Sequence, residues 1–221
     1  MLHVRDMRLG DLNDVASVHK NCFPSEISIF SALSPDVLKR YYAMFVEESE
    51  SYAAVLEEPV SGRVVGFVFG TRRPGIQKRF LHRYYFRFLW SVIFGLFTSR
   101  AVWNSFRARL RGKTGLHLGE YDSALANAGV PPPEGTENLC MGIGVHRDYR
   151  GGGNAARLLN YYVSSVFEKG VVRIRGAVLT TNVASMILFK SCGWEFRQVS
   201  DTQMSVWINR PKKIEDKPGI L

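Results

Sequence analysis

The chain has 221 residues, of which 46% are hydrophobic, so it can bury one full core but is too short for two large independent domains. Its 29 basic and 20 acidic residues give a net charge of +9, which excludes the acidic, poorly apolar composition of a disordered protein. Cys22, Cys140 and Cys192 are odd in number and widely spaced, which argues against a disulfide framework or zinc site and predicts reduced core thiols.

The first seventy residues predict five elements by their apolar periodicity and turn residues. These are a strand over 2–8, helices over 11–22 and 35–48, and a hairpin of strands over 52–56 and 63–70. Pro35 occupies a helix start, where its missing N–H has no cost. A Pro-Val-Ser-Gly turn joins the two hairpin strands.

Residues 72–135 predict a helical insert. Between Pro59 and Gly119 there are twelve Lys or Arg residues and no Asp or Glu. Residues 78–110 contain no Pro and only Gly95 as a breaker, which predicts one helix bent near Gly95 or two helices meeting there. The uncharged stretch from Phe88 to Ser99 has twelve residues, well short of the roughly 20 that span a bilayer.

Three hypotheses for this insert stay open. It packs on the sheet or on a second copy of the chain, which predicts a homodimer, with its arginines solvated. Alternatively, residues 78–111 lie on an anionic membrane surface, because Arg79, Arg83 and Arg87 form a basic stripe opposite an aromatic and aliphatic side. Nucleic-acid binding fits less well, since so many large aliphatic residues suit acyl chains or a protein core better.

The rest of the chain predicts alternating strands and helices. They are strands over 138–145 and 171–179, helices over 153–168 and 183–191, and a closing strand pair over 194–199 and 203–208. The tail 210–221, rich in charged residues and proline, is expected to be flexible. The charged N-terminus has no signal-peptide apolar region, so we expect a cytoplasmic protein, peripheral to the inner membrane face under the membrane hypothesis. The five histidines form no metal-ligand cluster, and we predict no metal site.

A turn rich in arginine and glycine follows the strand over 138–145. It reads Arg150-Gly151-Gly152-Gly153-Asn154-Ala155 and opens a helix. Glycines let the backbone approach a ligand closely, and the N–H groups at a helix start attract an anion. This turn predicts a phosphate-binding site. Its spacing resembles the Arg/Gln-x-x-Gly-x-Gly/Ala turn of the GNAT acetyltransferase family.

A second segment strengthens this resemblance. Asn182 opens a helix, Phe189 follows seven positions later, and Gly193-Trp194 starts the next strand, in an arrangement similar to another signature of the family. The resemblance covers about 2–71 and 136–208. It implies an α/β (α+β) fold with a mixed, mostly antiparallel central sheet flanked by helices, in one acyltransferase domain over 1–221 that contains the insert.

The resemblance also implies the cofactor and its binding residues. The cofactor is acetyl-coenzyme A, with its pyrophosphate on the turn Arg150–Ala155. Its pantetheine arm pairs like an extra strand with Ile143, Gly144 and Val145, and Asn182 reaches it from the next helix. Transfer to an amine is direct, without a covalent enzyme intermediate.

Proton handling departs from the family pattern, because Phe189 stands where a tyrosine often acts as general acid. The leaving thiolate has three possible fates: it takes a proton from Ser191, it takes one from a water molecule, or it departs without an enzymatic acid. Cys192 fits a buried apolar thiol better than a catalyst. Glu137, at the start of a strand, is the candidate base, with a solvated charge as the alternative.

The predicted function is N-acetylation of a primary amine, such as an amino sugar on a nucleotide- or lipid-linked glycan precursor. The alternatives are a protein or peptide amine, a non-catalytic coenzyme A-binding module, or a membrane-surface scaffold.

Overall fold

The structure is a computed structural model that describes residues 1–23, 34–73, 75–98 and 135–211. Its strands are β1 (His3–Asp6), β2 (Ser51–Glu57), β3 (Val64–Thr71), β4 (Glu137–Val145), β5 (Arg173–Leu179), β6 (Glu195–Ser200) and β7 (Gln203–Asn209). Its helices are α1 (Leu12–Cys22), α2 (Pro35–Glu47), α3 (Ile76–Thr98), α4 (Asn154–Glu168) and α5 (Val183–Ser191). These bounds agree closely with the elements predicted from apolar periodicity.

The strands form one sheet in the order β1-β2-β3-β4-β5-β7-β6. Every neighbouring pair is antiparallel except β4 and β5, which run parallel. The predicted mixed, mostly antiparallel sheet is therefore confirmed. The β4–β5 ladder covers only Glu137 to Leu139 on β4 and Arg173 to Arg175 on β5. Beyond it, β4 pairs with β3 alone.

Helices cover the sheet on two faces and define two apolar clusters. In the first cluster, α4 and α5 pack on one face through residues such as Leu158, Val166 and Phe189, against Ile174 of β5. In the second, α1 and α2 pack on the other face, with Tyr42 among its fully buried residues. All eight residues of β3 are buried, as expected for a central strand covered on both sides.

The bend predicted near Gly95 is wrong. Helix α3 continues to Thr98, and its backbone leaves helical geometry at Tyr84 instead, with φ −121° and ψ 22°. The first turns of α3 follow the core, because Phe80 is fully buried against the ring of Tyr41 at a centroid distance of 5.2 Å. A lone glycine within a helix costs only about 1 kcal/mol and need not bend it.

Parts of the predicted insert and of the predicted tail lie outside the described residues. These are 99–134, which hold most of the predicted insert, and 212–221, which hold most of the predicted tail. In the described part of the chain, no helix is both long enough and apolar enough to cross a membrane.

Candidate active site

Three consecutive left-handed glycines connect the end of β4 to α4. Gly151, Gly152 and Gly153 have φ of 88°, 56° and 75°, and a Cβ atom at any of them would meet nothing within 4 Å. Glycine is required here by the backbone conformation, and the space beside the turn is open. The turn therefore exposes backbone to a ligand instead of burying it.

Helix α4 begins at this turn without a side-chain cap. Gly153 occupies the N-cap position, and the first turn contains no acidic residue. The side chain of Asn154 donates to the Tyr149 carbonyl at 2.9 Å, which holds the turn in shape. The start of α4 keeps the positive end of the helix dipole uncompensated, as an anion-binding site requires. Three glycines and an uncapped helix start fit the pyrophosphate of coenzyme A.

The end of β4 is tied to this turn through one carbonyl group. The Val145 carbonyl accepts a hydrogen bond from Arg150 Nε at 3.0 Å and another from the Cys22 thiol at 3.2 Å. Burial raises the pKa of the Cys22 thiol, so it stays protonated and can donate. Arg150 is therefore in contact with the strand, as the predicted closing residue of the turn should be.

Strand β4 has an open edge beside β5. The His146 N–H donates to the Val65 carbonyl at 2.8 Å, toward β3. Because backbone groups alternate along a strand, the N–H and C=O groups of Ile143 and Val145 point the other way, beyond the end of the β4–β5 ladder. Gly144 has a different role: a Cβ atom there would lie 3.2 Å from Cys22 Sγ, so its missing side chain lets α1 approach the sheet.

A β-bulge in the middle of β4 is a site feature that sequence reasoning missed. Phe69 pairs with Gly142 and Gly70 with Cys140, which leaves Met141 as an extra residue. A Cβ atom on Gly142 would lie 2.9 Å from a ring carbon of Phe69, so the bulge needs glycine. The signal was available, since an isolated glycine within a strand often marks a bulge.

Asn182 caps α5 and lies exposed at the surface. Its side-chain oxygen accepts a hydrogen bond from the Ser185 N–H at 3.2 Å. This is the ordinary role of asparagine at an N-cap. Asn182 thus has a defined structural contact, and its predicted contact with the cofactor stays a prediction.

Phe189 lies in the core. It is 6% exposed, and its ring packs against the ring of Trp194 at a centroid distance of 4.7 Å. Burial raises the pKa of the nearby Cys192 thiol, which opposes a thiolate there. Ser191 donates its hydroxyl to the Leu188 carbonyl at 2.8 Å. Each of these side chains therefore has a structural contact in α5 or the core.

Glu137 lies at the closed end of the β4–β5 ladder. Its Oε2 atom is 2.9 Å from Arg175 Nη2, and its Oε1 atom is buried with no hydrogen-bond partner among the described contacts. Burial raises the pKa of the Glu137 carboxyl, and the charges of Arg175 and Arg173 oppose that rise. Glu137 is two residues beyond Leu139, about 7 Å along the strand from the point where the open edge begins.

No cluster of three or more His, Cys, Asp or Glu residues that could hold a metal ion occurs in the described ranges.

The predicted site residues on β4 and the following turn lie in two places. Ile143, Val145 and the turn Arg150–Ala155 lie together around the open edge of β4, whereas Glu137 is at the other end of that strand.

Comparison with known proteins agrees with this geometry. The acetyltransferase (GNAT) family model matches residues 115–194. No curated protein sequence matches the chain. Among solved structures, the GNAT domain of S. lividans PAT is 14% identical, with a TM-score of 0.57 over 95% of this chain and 90% of that one.

Two further structures are similar over nearly their whole length. The PaiA N-acetyltransferase of Thermoplasma acidophilum, in complex with coenzyme A, is 8% identical with a TM-score of 0.58 over 95% of this chain and 99% of its own. The ribosomal-protein-S18-alanine N-acetyltransferase of Escherichia coli is 12% identical with a TM-score of 0.55 over 98% of this chain and 99% of its own. At these identities the likeness shows a common fold. The match to the acetyltransferase (GNAT) family model over residues 115–194, together with the common fold, shows that the chain is similar to the acetyl-coenzyme A-dependent N-acetyltransferases.

Proposed function

We propose that the protein acetylates the primary amine of an amino sugar carried on a nucleotide or lipid phosphate. The observation that carries the transfer reaction is the anion-binding turn at the open edge of β4. The sheet face next to that edge favours this class of acceptor.

Acetyl-coenzyme A supplies an activated acetyl thioester. The backbone N–H groups of Gly151, Gly152, Gly153 and Ala155 bind its pyrophosphate, because the turn is open and the α4 dipole favours negative charge, whereas the Asn154 N–H donates to the Gly151 carbonyl. Arg150 keeps the turn at a constant distance from β4 through its bond to Val145. Asn182 contributes from the start of α5.

The open edge of β4 orients the acyl group. The backbone N–H and C=O groups of Ile143 and the N–H of Val145 pair with the amide groups of the pantetheine arm, as with a neighbouring strand, whereas the Val145 carbonyl is already bonded to Arg150 and Cys22. A backbone N–H on this edge donates to the acyl oxygen as negative charge develops there. A preorganised donor of this kind contributes on the order of 3 kcal/mol to transition-state stabilisation.

Glu137 accepts the proton of the acceptor ammonium through water. Its raised pKa makes it a better base than an ordinary carboxylate, and its Oε1 atom is not used by Arg175. The distance along β4 requires a bridging water. Phe189 cannot protonate the leaving thiolate, so solvent supplies that proton.

The acceptor approaches over the sheet face that carries alternate side chains of β5, β6 and β7. The other face of these strands packs on the first apolar cluster through residues such as Ile174 and Val206. By register, the acceptor face holds Arg173, Arg175, Trp207, Ser205, Arg197 and Glu195. An aromatic ring and arginines are suited to a sugar that bears a phosphate, whereas the Ser205 hydroxyl is fully buried.

The charges on this face argue against the alternative, a protein or peptide amine. Three arginines, Arg173, Arg175 and Arg197, accompany two glutamates, Glu137 and Glu195, and Glu137 is already paired with Arg175. A cationic peptide needs an acidic groove, because like charges repel. This face is instead weakly basic, which favours an anionic acceptor.

The test is acetyl transfer from labelled acetyl-coenzyme A to a panel of amines. The panel contains nucleotide-linked amino sugars, the same sugars without phosphate, and peptides with free N-termini. Turnover restricted to the phosphate-linked sugars supports the proposal. Preference for peptides or for the free sugars contradicts the acceptor assignment but leaves the transfer reaction intact, and coenzyme A binding without turnover on any amine contradicts both.

A further inference from the structure

The middle of α3 exposes an unusual set of large apolar side chains. Tyr85, Phe86, Leu89 and Trp90 are 54%, 75%, 38% and 70% exposed, and we call them the outer face of α3. Residues 85 and 89 are four apart, as are 86 and 90, so the four share one side of the helix. Contiguous exposed apolar residues of this size mark an interaction site more often than an accident of packing.

The orientation of this face is determined by the opposite side of the helix. Phe80 is fully buried, and Leu81, Tyr84 and Phe88 pack against the second apolar cluster. The Tyr84 ring lies 5.3 Å from the Phe80 ring and has the Arg40 guanidinium over it at 5.7 Å. Because these contacts hold the inner side of α3, the outer face is directed away from the core.

Positive charge surrounds the outer face. Lys78, Arg83 and Arg87 are all exposed on α3, and the sequence has no acidic residue between Glu58 and Glu120. By contrast, Arg79 on the same helix is half-buried and bonds to Glu48 of α2 at 2.9 Å. These three side chains have no acidic residue in their own segment, and Arg87 is close enough to Asp36 of α2 to help lower the pKa of that carboxyl.

We propose that the outer face of α3 docks on the surface of an anionic phospholipid bilayer. Aromatic and leucine side chains enter the boundary between headgroups and acyl chains, while arginines stay at the headgroup phosphates. The basic charge provides the complementarity to an anionic leaflet, where each Lys or Arg strengthens binding about fivefold. Docking here does not depend on which amine is acetylated.

Two other occupants fit the same residues less well. A second copy of the chain would bring Arg83 and Arg87 of both copies together with no acidic residue of α3 to pair with them, and like charges repel. A nucleic acid would use the arginines, but Leu89 would gain nothing from stacked bases. A bilayer satisfies both the charges and the aliphatic side chain.

The test uses the full chain and vesicles of phosphatidylcholine with and without phosphatidylglycerol. We expect the protein to sediment with the anionic vesicles at low salt, to be released at high salt, and to ignore the neutral vesicles. The double variant Phe86→Ser/Trp90→Ser should lose about tenfold or more in vesicle affinity, and so should Arg83→Glu/Arg87→Glu. These side chains are exposed, so thermal unfolding midpoints should stay near the wild-type value.

Matched controls separate the outer face from general effects of charge and hydrophobicity. Lys20→Glu/Arg63→Glu changes charge by the same amount at two exposed positions elsewhere, and Val60→Ser removes a 97% exposed apolar residue from a turn. Both controls should bind vesicles within about threefold of wild type. A wild-type protein that ignores anionic vesicles at low salt overturns the proposal. So does a dimer that dissociates in Phe86→Ser/Trp90→Ser, or vesicle binding that the controls reduce equally.

Discussion

Arg150 Nε donates a hydrogen bond at 3.0 Å to the carbonyl group of Val145. This hydrogen bond joins the last residue of β4 to the start of the glycine turn. The two parts of the proposed cofactor site, one for the arm and one for the pyrophosphate, are therefore held together by a charged donor. Preorganisation of this kind lowers the entropic cost of binding.

Arg150→Ala should weaken coenzyme A binding by roughly tenfold, since a hydrogen bond from a charged donor contributes about 1.5–3 kcal/mol. Titration calorimetry measures the change. Cys22→Ala is the matched control, because it removes only the weaker thiol donor from the same carbonyl. Equal losses in the two variants would show that Arg150 has no special role.

Gly153→Glu should reduce coenzyme A affinity at least about tenfold, because it introduces a strained backbone conformation and a negative charge at the pyrophosphate site. Gly170→Glu is the control: Gly170 also has a positive φ, 84° against 75°, and open space around it. It lies at the other end of α4. If both variants bind coenzyme A equally well, the turn is not the phosphate site.

Glu137→Gln should lower kcat and remove the rise of activity with pH. A base acts only when it is deprotonated, so wild-type activity should fall as the pH is lowered through the pKa of Glu137. Because that pKa is raised, the fall should begin at a higher pH than it would for an ordinary carboxylate. Glu195→Gln changes another carboxylate on the acceptor face and should leave the profile unchanged. Wild-type pH profiles in Glu137→Gln would assign the proton to solvent.

Phe189→Ala should lower the free energy of unfolding by about 3–5 kcal/mol, because it removes a buried ring that packs on Trp194. Phe189→Tyr should keep or raise turnover, since it restores the residue that the family often uses as general acid. Chemical denaturation and steady-state kinetics measure the two effects. A Phe189→Tyr variant that folds but loses turnover would mean that the apolar ring itself matters near the cofactor.

His19 should make stability depend on pH. It is buried, its Nδ1 atom lies 2.7 Å from the Tyr42 hydroxyl, and burial lowers its pKa from 6.5 to about 4, with a smaller contribution from Lys20. Between these two pKa values the unfolded chain binds the proton and the folded chain does not. The free energy of unfolding is therefore highest above the unfolded pKa, and it should decrease by about 3 kcal/mol as the pH falls to the folded pKa.

Urea denaturation across this range should show the loss in the wild-type protein. His19→Gln has no titrating group and should show a flatter profile, at the cost of lower stability near neutral pH. A wild-type profile that is flat between the two pKa values would mean that His19 is charged in the fold.

Much of the architecture could be predicted from local patterns. Helix α5 and the start of α2 follow from the Asn182 cap and from Pro35, because capping and proline geometry act within one turn of the chain. The glycine turn was predicted for the same reason: the three positive φ values are a property of residues 151–153 themselves. The GNAT resemblance rested on these local motifs, and the family match agrees with it.

Tertiary structure decided the contacts between distant segments. The hydrogen bond from the Cys22 thiol to the Val145 carbonyl joins residues 123 positions apart, and no local pattern encodes it. Glu137 was chosen by its place at a strand start, but only the tertiary structure shows that it pairs in register with Arg173 and forms an ion pair with Arg175 at the closed end of the ladder. Likewise, the bend of α3 lies at Tyr84, one turn after Phe80 packs on Tyr41 of α2, and no glycine or proline marks it in the sequence. Local propensity acts over a few residues, whereas register, helix bends and ion pairs depend on which distant surfaces become buried together.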